Sequence, residues 1–125
     1  MKRTLGVCYY PEHWAETVWA SDAKRMVDSG LSWVRIGEFS WAKIEPEPGK
    51  FEWEWLDRAI ETLGSSGLQI VLGTPTATPP RWMLDKHPDM LAHNSSGIIR
   101  KFGSRRHYCF SHGGYREEAR RITRL

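Results

Sequence analysis

The stretch Gly37-Glu38-Phe39-Ser40-Trp41 sets one carboxylate beside two large aromatic side chains, directly behind an apolar run. Carboxylate oxygens accept hydrogen bonds from hydroxyls, and aromatic rings cover flat C–H faces. The combination therefore suits a polyhydroxylated ligand such as a sugar. A simpler reading of the same residues is structural, with Glu38 paired to an arginine inside the fold and the rings in the core. The stretch alone favours this simpler reading, and other segments must decide.

The elements that would position Glu38 follow from periodicity. Ser32 to Ile36 reads as a β-strand, with Trp33, Val34 and Ile36 supplying β-favouring bulk. Leu5 to Tyr10 reads as an earlier strand stopped by Pro11. Leu68 to Gly73 reads as a third, apolar nearly throughout, as expected of a strand buried on both faces. Between them, Val18, Trp19, Ala23, Met26 and Val27 fall on one helical face over 16–29. Trp55, Leu56, Ala59, Ile60 and Leu63 fall on another. A short helix is expected through Arg81–Leu84 after the Pro79-Pro80 pair, then an irregular segment over 89–114, then a helical pattern at Tyr115, Ala119, Ile122 and Leu125.

The order β-α-β-α-β, with strand starts about 27 to 36 residues apart, is that of successive βα units. An eight-fold βα barrel needs about 250 residues. The expected fold is therefore α/β: the N-terminal portion of a (β/α)8 TIM barrel, about three βα units over residues 1–125, truncated before a fourth strand. A complete doubly wound domain is disfavoured, because no strand is followed by GxGxxG or GxxxxGK[ST]. In a parallel barrel the C-terminal strand ends carry the chemistry, and Glu38 lies at one of them.

Composition narrows the function classes. The 125 residues are 40% apolar and 26% charged, with a net charge of +3 and seven Trp. These values fit a globular domain with an aromatic-lined cleft. The arginines of the C-terminal third are interrupted by Glu117 and Glu118, which favours a solvated helix face over a nucleic-acid patch. Cys8 and Cys109 are too few and too far apart for a disulfide framework, and free thiols fit a reducing cytoplasm. Neither a signal peptide nor a membrane span is expected.

Several segments together resemble glycoside hydrolase family 42, the β-galactosidases. They are Leu5-Gly-Val-Cys-Tyr-Tyr-Pro-Glu-His-Trp14, Arg35-Ile-Gly-Glu-Phe-Ser-Trp41, Gly73-Thr-Pro-Thr-Ala-Thr-Pro-Pro-Arg-Trp82 and Phe102-Gly-Ser-Arg-Arg-His-Tyr-Cys109. The turn Glu45-Pro-Glu-Pro-Gly-Lys-Phe51 and Trp55-Leu-Asp-Arg-Ala-Ile60 match as well. The resemblance covers nearly the whole sequence, in order and at matching spacing. It implies a barrel that hydrolyses terminal β-D-galactosides with retention, using two glutamates about 5–5.5 Å apart; the alternatives are a related barrel glycosidase of other sugar specificity and a non-catalytic carbohydrate-binding barrel remnant. In the family the acid/base glutamate follows an asparagine. Asn94, the sole asparagine, is followed by Ser95, so no catalytic residue is assigned within this sequence.

Two positions carry over. Arg105 matches an arginine that contacts the sugar, and a guanidinium offers several fixed donors to hydroxyls. Cys109 matches the first of four cysteines that hold a structural zinc in part of the family; the other three would lie past Leu125. A buried structural thiol is the alternative. Arg35 and Glu38 carry over more weakly, and Trp14, Trp41 and Trp82 are candidates to shape the pocket mouth. The resemblance further implies a galactoside or galacto-oligosaccharide as substrate, no organic cofactor and a homo-oligomer, a trimer in the family. No nucleic-acid or membrane partner is expected, and the expected location is the cytoplasm.

Overall fold

The computed structural model describes residues 3–125. They fall into two compact units, one of residues up to Gly37 with Glu52–Gly73, the other of Glu38–Phe51 with Thr74–Leu125.

The first unit is a three-stranded parallel sheet, β1 (Gly6–Cys8), β2 (Trp33–Ile36) and β3 (Gln69–Leu72), in the order β1-β2-β3. Crossover helices α1 (Glu16–Asp28) and α3 (Glu54–Ser65) join the strands. Val34 pairs with Val7 on one side and Ile70 on the other. Gly6 stands opposite Trp33, where an added Cβ would lie 2.8 Å from the Trp33 Cβ, so only glycine fits there without a shift.

Both helices end on the same device. Gly30 (φ 82°) and Gly67 (φ 96°) take the left-handed conformation that side chains disfavour. The amide of the next residue reaches back to the helix, Leu31 N–H to the Met26 carbonyl at 3.0 Å and Leu68 N–H to the Leu63 carbonyl at 3.4 Å. Each helix is thereby closed within two residues of the strand it feeds. Trp19, Ala23, Leu56, Ala59 and Leu63, all buried, supply the core faces read from the 3.6-residue period.

The sheet leaves apolar side chains exposed, as three strands of a closed barrel without the others must. Along β2 the pattern alternates, with Val34 and Ile36 fully buried and Trp33 exposed. Val71 and Leu72 of β3 are 44% and 55% exposed, in a strand whose residues suit burial on both faces. By the register, Val7 and Leu72 lie on the face of Val34 and Ile36, and Trp33 and Val71 on the opposite face, so both faces carry exposed apolar side chains among the described residues. Trp33 is 37% exposed, on the face that Val71 shares.

The second unit contains α2 (Trp41–Ile44), α4 (Arg81–Lys86) and α5 (Gly113–Thr123). Residues 87–112 lack helix or strand but are well tied. Leu91 bridges Tyr108 and His93 bridges Ile99, while the Asn94 carboxamide accepts from the amides of Ser96 and Ile98 at 3.0 and 2.9 Å. Tyr108 stacks on Tyr115 at 4.4 Å, and the Tyr115 hydroxyl donates to the Thr76 carbonyl at 2.9 Å. His112 caps α5, its Nδ1 accepting from the Tyr115 amide at 3.2 Å.

Candidate functional site

The second unit holds a cleft of about 760 Å³, lined by Phe39, Pro79, Arg81, Phe102 and residues 103–108. That volume is the size of a small-molecule site. Phe39 and Phe102 expose 42% and 40% of their surface, and the Arg81 guanidinium lies 5.4 Å from the Phe102 ring centroid. The lining offers aromatic faces and guanidinium donors, the pair of features that holds a polyol by its C–H faces and its hydroxyls.

Arg105 and Arg106 stand on a turn at the edge of this cleft, and both are exposed. Arg106 is the one non-glycine residue with positive φ (55°) among the described residues. For a residue with a Cβ this conformation costs about 1 kcal/mol, and it persists where surrounding contacts fix it. The contacts are present on both sides of Arg105. The Ser104 amide and hydroxyl both donate to the Lys101 carbonyl, at 3.1 and 2.6 Å, and Arg100 Nη1 donates to the Arg105 carbonyl at 2.8 Å.

His107 follows, 4% exposed, with its Nδ1 3.1 Å from the Ser104 carbonyl. That carbonyl can only accept, so Nδ1 carries the hydrogen. Burial pushes the imidazole below its ordinary pKa, the Ser104 contact opposing it. The ring lies 5.1 Å from Phe102 and 5.7 Å from Tyr108.

Cys109 is half-buried, and its backbone amide donates to the Met90 carbonyl at 2.8 Å. Among the described residues no three His, Cys, Asp or Glu side chains come together. The described residues therefore do not form a zinc site by themselves, since a structural zinc takes four ligands. Cys109 could serve one only with ligands from outside this sequence.

The aromatic candidates divide. Trp14 is 58% exposed. Trp41 is fully buried and belongs to the core of its unit, not to a pocket mouth. Its indole N–H donates to Glu45 Oε2 at 2.9 Å, and that of Trp82 donates to the Glu45 carbonyl at 3.0 Å. Glu38 is 8% exposed at the start of this unit.

Glu45 is the polar node that sequence reasoning missed. It is completely buried, and its carboxylate also accepts from the Gly49 amide at 2.7 Å and from Arg121 Nη2 at 2.8 and 2.7 Å. Arg121 further donates to Glu118 at 2.7 Å, and Lys86 reaches Glu118 at 2.5 Å. Bonding to Glu45 raises the Arg121 pKa. The node ties the turn after α2 to α5, across 76 residues of sequence. No local pattern announces a pairing of that range.

A parallel sheet in the order β1-β2-β3 with a helix between successive strands is the arrangement of successive βα units in an α/β barrel. The family model of glycoside hydrolase family 42, described as beta-galactosidase, matches residues 8–125. The beta-galactosidase of Thermus thermophilus is 63% identical over 121 residues, 97% of this chain and 19% of the relative. The crystal structure of a beta-galactosidase from the psychrophilic Marinomonas ef1 superposes with a TM-score of 0.90 at 57% identity, covering 96% of this chain and 18% of that one. A beta-galactosidase from the Antarctic haloarchaeon Halorubrum lacusprofundi superposes at 0.88 and 53% identity, again over 96% and 18%. The chain belongs to glycoside hydrolase family 42, and its fold matches the N-terminal part of that family's TIM-barrel structures. It spans about a fifth of the length of the relatives it matches.

Proposed function

We propose that this chain supplies the first βα units of a retaining β-galactosidase, which hydrolyses terminal β-D-galactosides, and that Arg105 contacts the sugar. The observation that carries this reading is family membership over residues 8–125, joined to a cleft edged by Arg105 and faced by Phe39 and Phe102. The two glutamates of the retaining reaction then come from sequence outside these residues. One protonates the leaving oxygen, and the other attacks the anomeric carbon. The role of this chain is to bind and orient. Fixed guanidinium donors at Arg105 engage hydroxyls whose position sets the sugar ring against the reacting groups.

Cys109 is proposed as one ligand of a structural zinc in the full-length protein, holding the loop and taking no part in the chemistry. Metal analysis should then find zinc in the wild type and lose it in Cys109→Ser, with activity per folded molecule largely kept. A wild type without zinc leaves Cys109 as a half-buried thiol. A homo-oligomer, a trimer by family resemblance, and a cytoplasmic location complete the proposal. No helix among the described residues is long and apolar enough to cross a membrane.

The experiment that tests the reading is hydrolysis by the full-length protein of aryl β-D-galactoside, β-D-glucoside and β-D-mannoside side by side. The galactoside should have the highest kcat/KM, and the anomeric configuration should be retained in the first-formed product. A preference for either other sugar, or inversion, contradicts it.

A further inference from the structure

We infer that His107, with Arg100 as its second support, is a positioning residue that presents Arg105 to the substrate. The inference rests on the reading of Arg105 as a sugar contact and extends it to residues that touch no sugar.

The Arg105 side chain makes no polar contact with any described residue, whereas its main chain is held from both sides. Before it, the Ser104 carbonyl accepts from His107 Nδ1 at 3.1 Å, and the Ser104 amide and hydroxyl both return to Lys101. Its own carbonyl accepts from Arg100 Nη1 at 2.8 Å. After it, Arg106 sits at φ 55°, a conformation the chain does not adopt unless its neighbours impose it. A turn pinned at both feet with a free guanidinium at its tip is what a preformed contact requires. The turn's ordering is complete before substrate arrives, so binding does not have to supply it.

His107 is the anchor because it is the buried member. Its ring is wedged between Phe102 and Tyr108, and Tyr108 stacks in turn on Tyr115 of α5. Its carbonyl accepts from the Ala92 amide at 2.7 Å, and the Arg100 amide donates to the Ala92 carbonyl at 2.8 Å. Ala92 therefore joins the backbones of the two supports. Arg105 itself is exposed and makes none of these packing contacts. The rigidity of the turn comes from its neighbours.

The test is a double-mutant cycle on the full-length enzyme, reading kcat/KM for an aryl β-D-galactoside and the melting temperature of every variant. His107→Leu keeps the apolar contacts and removes the donor. It should lower kcat/KM roughly ten-fold. His107→Asn places an amide N–H where Nδ1–H stood, on the atom next to Cγ, and should recover most of that loss. In an Arg105→Ala background, His107→Leu should change kcat/KM by less than about two-fold, because a residue that acts only through Arg105 has nothing left to position. Arg100→Met, a substitution at an exposed side chain, gives an independent arm if His107→Leu does not fold. A loss of about three-fold is expected in the wild type and none in Arg105→Ala.

A loss of equal size in both backgrounds overturns the inference, as does an Asn variant no better than Leu at the same melting temperature. The reading of Arg105 fails separately and visibly. If Arg105→Ala alone leaves kcat/KM unchanged, the sugar contact is wrong whatever His107 does.

Discussion

At the scale of single residues, the contrast between Glu45 and the surface pairs decides where charge matters. Glu45 is fully buried and pairs twice with one Arg121 nitrogen, while Lys24 and Asp28 form a pair with side chains 74% and 60% exposed. Removing one member of a buried pair strands the other charge, a loss of 3–5 kcal/mol at full burial. Arg121 keeps 36% of its side-chain exposure, which discounts that figure. Glu45→Ala should therefore cost roughly 2–3 kcal/mol, and Asp28→Asn less than about 1 kcal/mol, measured as denaturant midpoints of the full-length protein. Equal costs contradict the node. The residue types of the cleft were legible in sequence, because Arg105, Phe39 and Phe102 lie in motifs that match the family. Glu45 was not. It sits in a Pro-Gly turn that reads as a connector, and its partner lies 76 residues away. Nor was the burial of Trp41, since an indole beside a strand end reads alike as pocket wall or core.

At the scale of elements, hydrophobic period and glycine punctuation were enough to place β1, β2, β3, α1, α3 and α5 to within a few residues. Burial on one face is what the 3.6-residue period records. α2 and the 3₁₀ turns Pro11–His13 and Pro75–Ala77 escaped notice, being too short to show any period. Two glycines at the end of α3, one inside it and one beyond it, make the punctuation testable. Gly67 lies at φ 96° past the helix end, whereas Gly64 lies inside the helix with open space where a Cβ would project. Gly67→Ala should destabilise by about 1 kcal/mol, and Gly64→Ala should stabilise by roughly 0.5–1 kcal/mol. Thermal unfolding of the two variants of the full-length protein gives the signs. The same sign for both would mean that α3 does not end as described.

At the scale of the whole molecule, the exposed sheet is the dominant fact. Trp33 and Val71 on one face and Leu72 on the other present apolar surface, and β1 and β3 each pair with a strand on one side only among the described residues. Unpaired parallel edges and exposed apolar side chains favour association. The 125-residue chain expressed by itself should bind a hydrophobic dye or aggregate. A monomer with cooperative unfolding and no dye binding would show that these strands need no further cover. This exposure was legible in the sequence, because three strands of a closed barrel leave open edges and a half-exposed apolar layer, and a strand apolar on both faces, as Leu68 to Gly73 is, then meets water on at least one side.

The central claim, that this chain brings a sugar-binding arginine to a β-galactosidase, is tested most directly by two neighbouring substitutions in the full-length enzyme. Arg105 and Arg106 carry the same charge on the same exposed turn, so a long-range electrostatic effect is shared between them. A positioned contact to hydroxyls is not. With an aryl β-D-galactoside, Arg105→Ala should lower kcat/KM roughly ten- to a hundred-fold, the worth of one or two hydrogen bonds from a charged donor, and Arg106→Ala far less. Equal effects of Arg105→Ala and Arg106→Ala would contradict the claim.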